Sequence, residues 1–156
     1  MTLVPPAKHM KISGPKVVAK AYLTENDLIT MLKTEIQSLL AGGVMPNEFV
    51  ILSKNKLCNS SVSKKSSLCA LEINEVSSIS DMGKRSLNYF TIQSFKGLES
   101  KIVFLIDVDG FKSAQNRALN YVAMSRAKII LYIYYTESAK KEYQEIIDEG
   151  EELLIQ

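Results

Sequence analysis

The sequence predicts an α/β fold on a mainly parallel sheet, and three observations carry that prediction. Apolar runs of strand length recur along the chain: VVAKAY (17–22), YFTI (89–92), IVFLID (102–107) and IILYIYY (129–135), with FVIL (49–52) as a shorter one. Stretches with helical periodicity lie among them. The first three elements also follow as strand, helix and strand at the spacing of a crossover unit, which links parallel strands.

Val17–Tyr22 is rich in β-branched residues and alternates enough for a strand. Thr24 with Asp27 three residues later resembles a capping box, so a helix starts there. That helix places Leu28, Met31, Leu32, Ile36, Leu39 and Leu40 on one side, and Gly42-Gly43 ends it. Phe49–Leu52 is then a short buried strand. From Lys54 to Ser80 the pattern weakens into Ser and Lys, with one apolar island at Leu68–Ile73, and an exposed connection is expected. Tyr89–Ile92, Ile102–Asp107 and Ile129–Tyr135 read as core strands, with helices expected at 114–127 and 137–149. Residues 1–15 are assigned to an N-terminal tail and 16–156 to one domain.

Composition narrows the function classes. With 46% hydrophobic and 23% charged residues in 156, the chain is of ordinary globular type, and no apolar run approaches a membrane span. The start, MTLVPPAKHM, lacks the apolar core of a signal peptide, so a cytoplasmic location is expected. Cys58, Cys69 and the single His9 supply neither a metal quartet nor a disulfide framework, and both cysteines are expected as thiols. A net charge of +2 confines any nucleic-acid site to a local patch.

Four stretches could carry chemistry. IVFLIDVDG (102–110) ends an apolar strand in an acid, which suits magnesium in nucleotide hydrolases but equally suits a strand end meeting solvent. MGKRS (82–86) contains Gly-Lys, yet Ser78 stands where a phosphate loop needs its first glycine and Arg85 where it needs Ser or Thr. The chain therefore has no Walker A loop of its own. TIQSFKGLES (91–100) is a polar link after a strand, expected at the C-terminal edge of the sheet where α/β proteins bind ligands. In YVAMSRAKIILYI (121–133), a helix over 114–127 puts Arg126 on the apolar stripe of Leu119, Val122 and Ala123. Such an arginine either meets the helix C-terminus with its stem on apolar surface, or waits for a partner.

Together, TIQSFKGLESKIVFL and NYVAMSRAKIILYI resemble motifs V and VI of the UvrD/Rep-like superfamily 1 helicases. The resemblance is strongest over residues 89–135 and implies a three-layer RecA-like fold, the second motor domain of such an enzyme. By position it implies that Arg126 is an arginine finger reaching the γ-phosphate held by the first motor domain. It further implies that Glu99 binds the nucleotide ribose, with Gly97 allowing close approach. Thr91, Gln93, Ser94 and Lys96 are implied to contact single-stranded DNA. ATP would be shared with the N-terminal RecA-like domain, which would hold Mg²⁺, and no metal site is expected here. Gln93 stands where the family pattern has His, and Gln115-Asn116 stand where many members have two acids. The Asn-x-Arg segment of motif IV is not seen before Val17, and is expected upstream of Met1 or missing.

Two other function classes compete. A stand-alone nucleic-acid or protein-binding regulatory module would keep the fold with a structural Arg126. An independent α/β hydrolase is disfavoured, because the chain has no Gly-x-Ser-x-Gly and its only histidine lies in the expected tail.

Overall fold

A computed structural model describes residues 14–155, with side chains described through Glu149. His9 and most of the expected tail lie outside the described residues. The elements run β1 (Lys16–Tyr22), α1 (Glu25–Ala41), β2 (Phe49–Ser53), β3 (Ser67–Leu68), β4 (Leu71–Glu75), β5 (Leu87–Thr91), β6 (Ser100–Val108), α2 (Ala114–Met124), β7 (Ala127–Thr136) and α3 (Lys140–Ile155). The seven strands form one sheet in the order β1-β7-β6-β2-β5-β4-β3. Every neighbouring pair is parallel except β3 with β4. The mainly parallel α/β architecture expected from the sequence is the one observed.

α1 forms where its ends are chemically specified. The Thr24 hydroxyl accepts from the Asp27 N–H at 3.1 Å, and the Asp27 carboxylate accepts from the Thr24 N–H at 3.2 Å, closing the capping box. At the other end Gly43 takes φ +95°, while Val44 N–H donates to Leu39 O and Gly43 N–H to Leu40 O. That pair of bonds is a Schellman motif, whose left-handed residue favours glycine. Leu28, Leu32 and Ile36 are fully buried by the helix against one sheet face. There they meet Phe49, Ile51, Phe104, Tyr132 and Tyr134. The Phe104 ring stacks on Tyr132 at 4.6 Å and meets Phe49 edge-on at 5.8 Å, so aromatic packing ties three adjacent strands together.

The opposite face packs against three pieces of chain. α2 contributes Leu119, Val122 and Ala123, α3 contributes Tyr143 and Ile146, and the link after β5 contributes Ile92 and Phe95. The result is three layers, helix on sheet on helices. β2, whose five residues are all buried, lies at the centre. Among the described residues no helix is long and apolar enough to cross a membrane.

The first two strands are parallel, as expected, with β7 and β6 between them. Two expectations require correction. The stretch 54–80 contains a sheet strand, β4, paired in parallel with β5, where an exposed connection was expected. α2 ends at Met124, three residues earlier than its periodicity suggests, because Arg126 N–H turns back to Ala123 O and Ala127 already pairs with Ser100.

Burial pushes the phenols of Tyr22, Tyr89 and Tyr132 up to about 12, and that of Tyr134 upward likewise. The folded state therefore holds these protons more tightly than the unfolded chain, whose tyrosines titrate near 10. Stability contributed this way is complete below about pH 10 and is lost as pH rises towards 12. Thermal melting followed by circular dichroism should show a melting temperature that tyrosine ionisation leaves unchanged up to about pH 9 and depresses beyond about pH 10. Phenolate absorbance of the buried rings should rise together with unfolding.

Candidate functional site

Residues 92–99 leave the C-terminal end of β5 and enter β6 at its N-terminal end. Since the strands are parallel, this link must run the height of the sheet, and β2 lies between its two strands. It does so as consecutive tight turns, with Phe95 N–H donating to Thr91 O and Leu98 N–H to Phe95 O. Buried Ile92 and Phe95 anchor it, Phe95 meeting Phe90 edge-on at 4.7 Å. Gln93, Lys96, Gly97 and Glu99 are exposed, and Gly97 takes φ +83°, a conformation that favours glycine.

The candidate residues consequently fall into two groups. Thr91 and Ser94 stand at the C-terminal edge, where they line an open cavity of about 390 Å³ with Lys56, Glu75, Val76 and Ser77. Their hydroxyls are held together: Thr91 Oγ1 donates to Ser94 Oγ at 2.9 Å and accepts from the Ser94 N–H at 3.1 Å. Gln93 and Lys96 are exposed on the following turns.

Glu99 and Arg126 stand at the N-terminal edge. Ser100 pairs with Ala127, and its N–H donates to Arg126 O at 3.0 Å, so the residues just before the two strands lie next to each other. Glu99 forms an ion pair with Lys128 at 3.6 Å and, with both partners more than half exposed, it is a loose one. Arg126 is half-buried and its Nε–H donates to Val122 O at 3.2 Å, at the C-terminus of α2. Its two terminal nitrogens have no partner among the described residues, so the fork stays available for an anion.

The expectation that the 91–100 link lies at the C-terminal edge holds for its start at Thr91 only, since its end at Glu99 stands at the N-terminal edge. Arg126 is placed by a turn and by strand pairing, and not by a helical stripe. Its Nε contact is the helix-terminus interaction anticipated for a structural arginine, made by one nitrogen only. Sequence reasoning missed Lys128 and Lys56. Lys128 could have been found as the cation two residues after Arg126 on the strand that pairs with 100, whereas Lys56 joins Thr91 only through the fold.

Asp107 belongs to neither group. It is buried, with φ +62° at a register shift between β6 and β7, and it accepts Ser53 Oγ–H at 2.7 Å and the N–H of Ser61 at 3.3 Å. The Ser61 hydroxyl also donates to it. Nearby, Lys54 and Asp109 pair at 2.7 Å. The donors around Asp107 are serines, and among the described residues no three His, Cys, Asp or Glu side chains gather as a metal site. Asp107 fastens the segment after β2 to the sheet edge and is buried away from the solvent that a strand-end acid was expected to meet.

Residues 88–134 match the UvrD-like helicase C-terminal domain. The matched segment runs from β5 through both candidate groups into β7, and bears out the resemblance read from TIQSFKGLES and YVAMSRA. The crystal structure of the C-terminal domain of a possible DNA helicase from Lactobacillus plantarum WCFS1 superposes with a TM-score of 0.60 at 16% identity. It covers 81% of this chain and 76% of that one, so the RecA-like fold is shared over most of both. No curated protein sequence matches the chain.

Asp107→Ala strands the Ser53 and Ser61 donors and keeps the left-handed backbone. Urea denaturation should show a loss of about 2–4 kcal/mol. An unchanged midpoint would mean that the segment after β2 is held by other contacts.

Proposed function

We propose that the chain is the second motor domain of an ATP-dependent superfamily 1 DNA helicase. The observation that carries this reading is the placement of Glu99 beside Arg126 at one sheet edge, while Thr91 and Ser94 occupy the other. One edge then completes an ATP site whose phosphate loop and Mg²⁺ belong to an N-terminal RecA-like domain. The other edge contacts the DNA strand.

The chemistry assigned to this chain is electrostatic. Arg126 directs its free guanidinium nitrogens at the γ-phosphate, where they neutralise charge that grows in the transition state. The bond from Nε to Val122 O holds the fork while leaving its outer donors open. Glu99 accepts from the ribose hydroxyls, exchanging its exposed contact with Lys128 for the ligand. Gly97 keeps the preceding turn free of a side chain. At the opposite edge Thr91, Gln93, Ser94 and Lys96 offer hydroxyls, an amide and a cation to a phosphate backbone, chemistry that binds single strands without reading sequence. Residues 92–99 connect the two, so closure around ATP moves the strand-binding turns.

The rival reading is a stand-alone nucleic-acid or protein-binding regulatory module. The bond of Arg126 to Val122 O favours it, since that contact has a structural use without any nucleotide.

Reconstitution with a cognate first motor domain separates the two. DNA-stimulated ATP hydrolysis should fall at least about a hundredfold in Arg126→Ala, with the melting temperature and the Michaelis constant for ATP retained. Unchanged hydrolysis would assign Arg126 to the fold and leave the regulatory module as the account.

A further inference from the structure

The segment MGKRS fails as a phosphate loop, yet buried amides hold it and the turn before it in place. Asn88, fully buried on β5, accepts from Gly83 N–H at 2.9 Å and donates to Gly83 O at 2.9 Å and to Ser86 O at 3.3 Å. Asn74 on β4 donates to Asn88 Oδ1 at 3.1 Å and to Asp81 O at 3.3 Å. The Ser78 hydroxyl donates to the Asp81 carboxylate at 2.9 Å, and Met82 N–H turns back to Ile79 O at 3.1 Å. A Cβ on Gly83 would collide with the Ser86 side chain, so the turn closes around a glycine. Buried amide networks that are fully paired rigidify what they hold.

What they hold is one wall of an open groove of about 430 Å³. Ile79, Met82 and Phe95 give it apolar surface, and Lys84, Lys101 and Lys128 line it as well. Ile79 is 49% exposed although its turn is fixed, so an aliphatic surface is left uncovered. Lys84 is exposed and takes part in none of the ion pairs among the described residues. Lys101 and Lys128 pair with Glu48 and Glu99 yet keep more than half of their side chains exposed. Glu48 is tied to Met45 N–H at 2.8 Å besides. The lining thus carries three cations against two acids that are already engaged. Arg126 is not among the lining residues, so the groove is distinct from the arginine proposed for hydrolysis.

We propose that this groove docks an acidic segment of a partner protein, which sets one bulky aliphatic side chain against Ile79 and Met82 while its carboxylates meet Lys84, Lys101 and Lys128. An aliphatic wall ringed by ammonium groups complements such a segment in shape and in charge. A nucleic-acid strand fits it poorly. Phe95 is 1% exposed and offers no face on which a base could stack, and no arginine lines the groove. The docking does not depend on the chain being a motor domain. The Gly-Lys of MGKRS thus serves to build a protein-binding wall and not a phosphate loop.

The test uses the whole chain and a fluorescein-labelled peptide of glutamates with one central leucine, followed by fluorescence anisotropy. Saturable binding is expected, weakened at least about tenfold by Lys84→Glu and at least about fivefold by Ile79→Asn. Both side chains are exposed, so circular dichroism should show both variants folded like the native chain. Lys64→Glu, exposed and outside the groove, should bind like the native chain. Serine in place of the peptide's leucine should weaken binding at least about fivefold. No saturable binding, equal affinity for the serine peptide, or indifference to Lys84→Glu and Ile79→Asn overturns the inference. Displacement of the peptide by a single-stranded oligonucleotide or by ATP, or a dimer of the chain that Ile79→Asn dissociates, assigns the groove to another occupant and overturns it as well.

Discussion

Parallel strand pairing is the constraint on which the arrangement depends. Because β5 and β6 run the same way with β2 between them, the chain leaving Thr91 must cross the sheet face before Ser100 can begin the next strand. A hairpin would have kept all of 91–100 at one edge. The crossover instead carries one polar segment from the C-terminal edge to the N-terminal edge. Two candidate ligand sites are joined by a few residues pinned at Ile92 and Phe95. Those two buried side chains hold the crossover against the sheet, where close packing resists small displacements.

The same geometry explains how the N-terminal edge is built. β6 and β7 are neighbours, so the residues preceding them converge whatever their distance in sequence. Glu99 arrives from the crossover and Arg126 from the end of α2. The bond from Ser100 N–H to Arg126 O fixes the backbones, while the terminal nitrogens of Arg126 have no partner among the described residues and Glu99 holds only an exposed pair with Lys128. At the C-terminal edge the opposite tactic operates. Asp107 is buried and its acceptors are used on Ser53 and Ser61, which holds the segment carrying Lys56 in place beside β5.

Much of the fold was legible because burial imposes periodicity. β6 and β7 are long enough to show as continuous apolar runs, and α1 announces both ends through Thr24–Asp27 and Gly42-Gly43. β4 was not legible as a strand, because LEINE is short and half polar at the side of the sheet where one neighbour is only a two-residue strand. The end of α2 was misplaced because no glycine or proline stops it; tertiary pairing of Ala127 with Ser100 does so. Residue identities at both candidate sites were readable from TIQSFKGLES and YVAMSRA. Their division between two edges was not, since it depends on strand order. Asp107 was visible as a strand-end acid, but its partners come from 54 and 46 residues away.

The division between edges is the central claim, and amide chemical-shift mapping tests it most directly. The isotopically labelled chain would be titrated separately with ATP and with a short single-stranded oligonucleotide. The account predicts that ATP perturbs the amides around Glu99–Lys101 and Arg126–Lys128, and that the oligonucleotide perturbs those around Lys56 and Thr91–Lys96. Perturbation of the same edge by both ligands would contradict it.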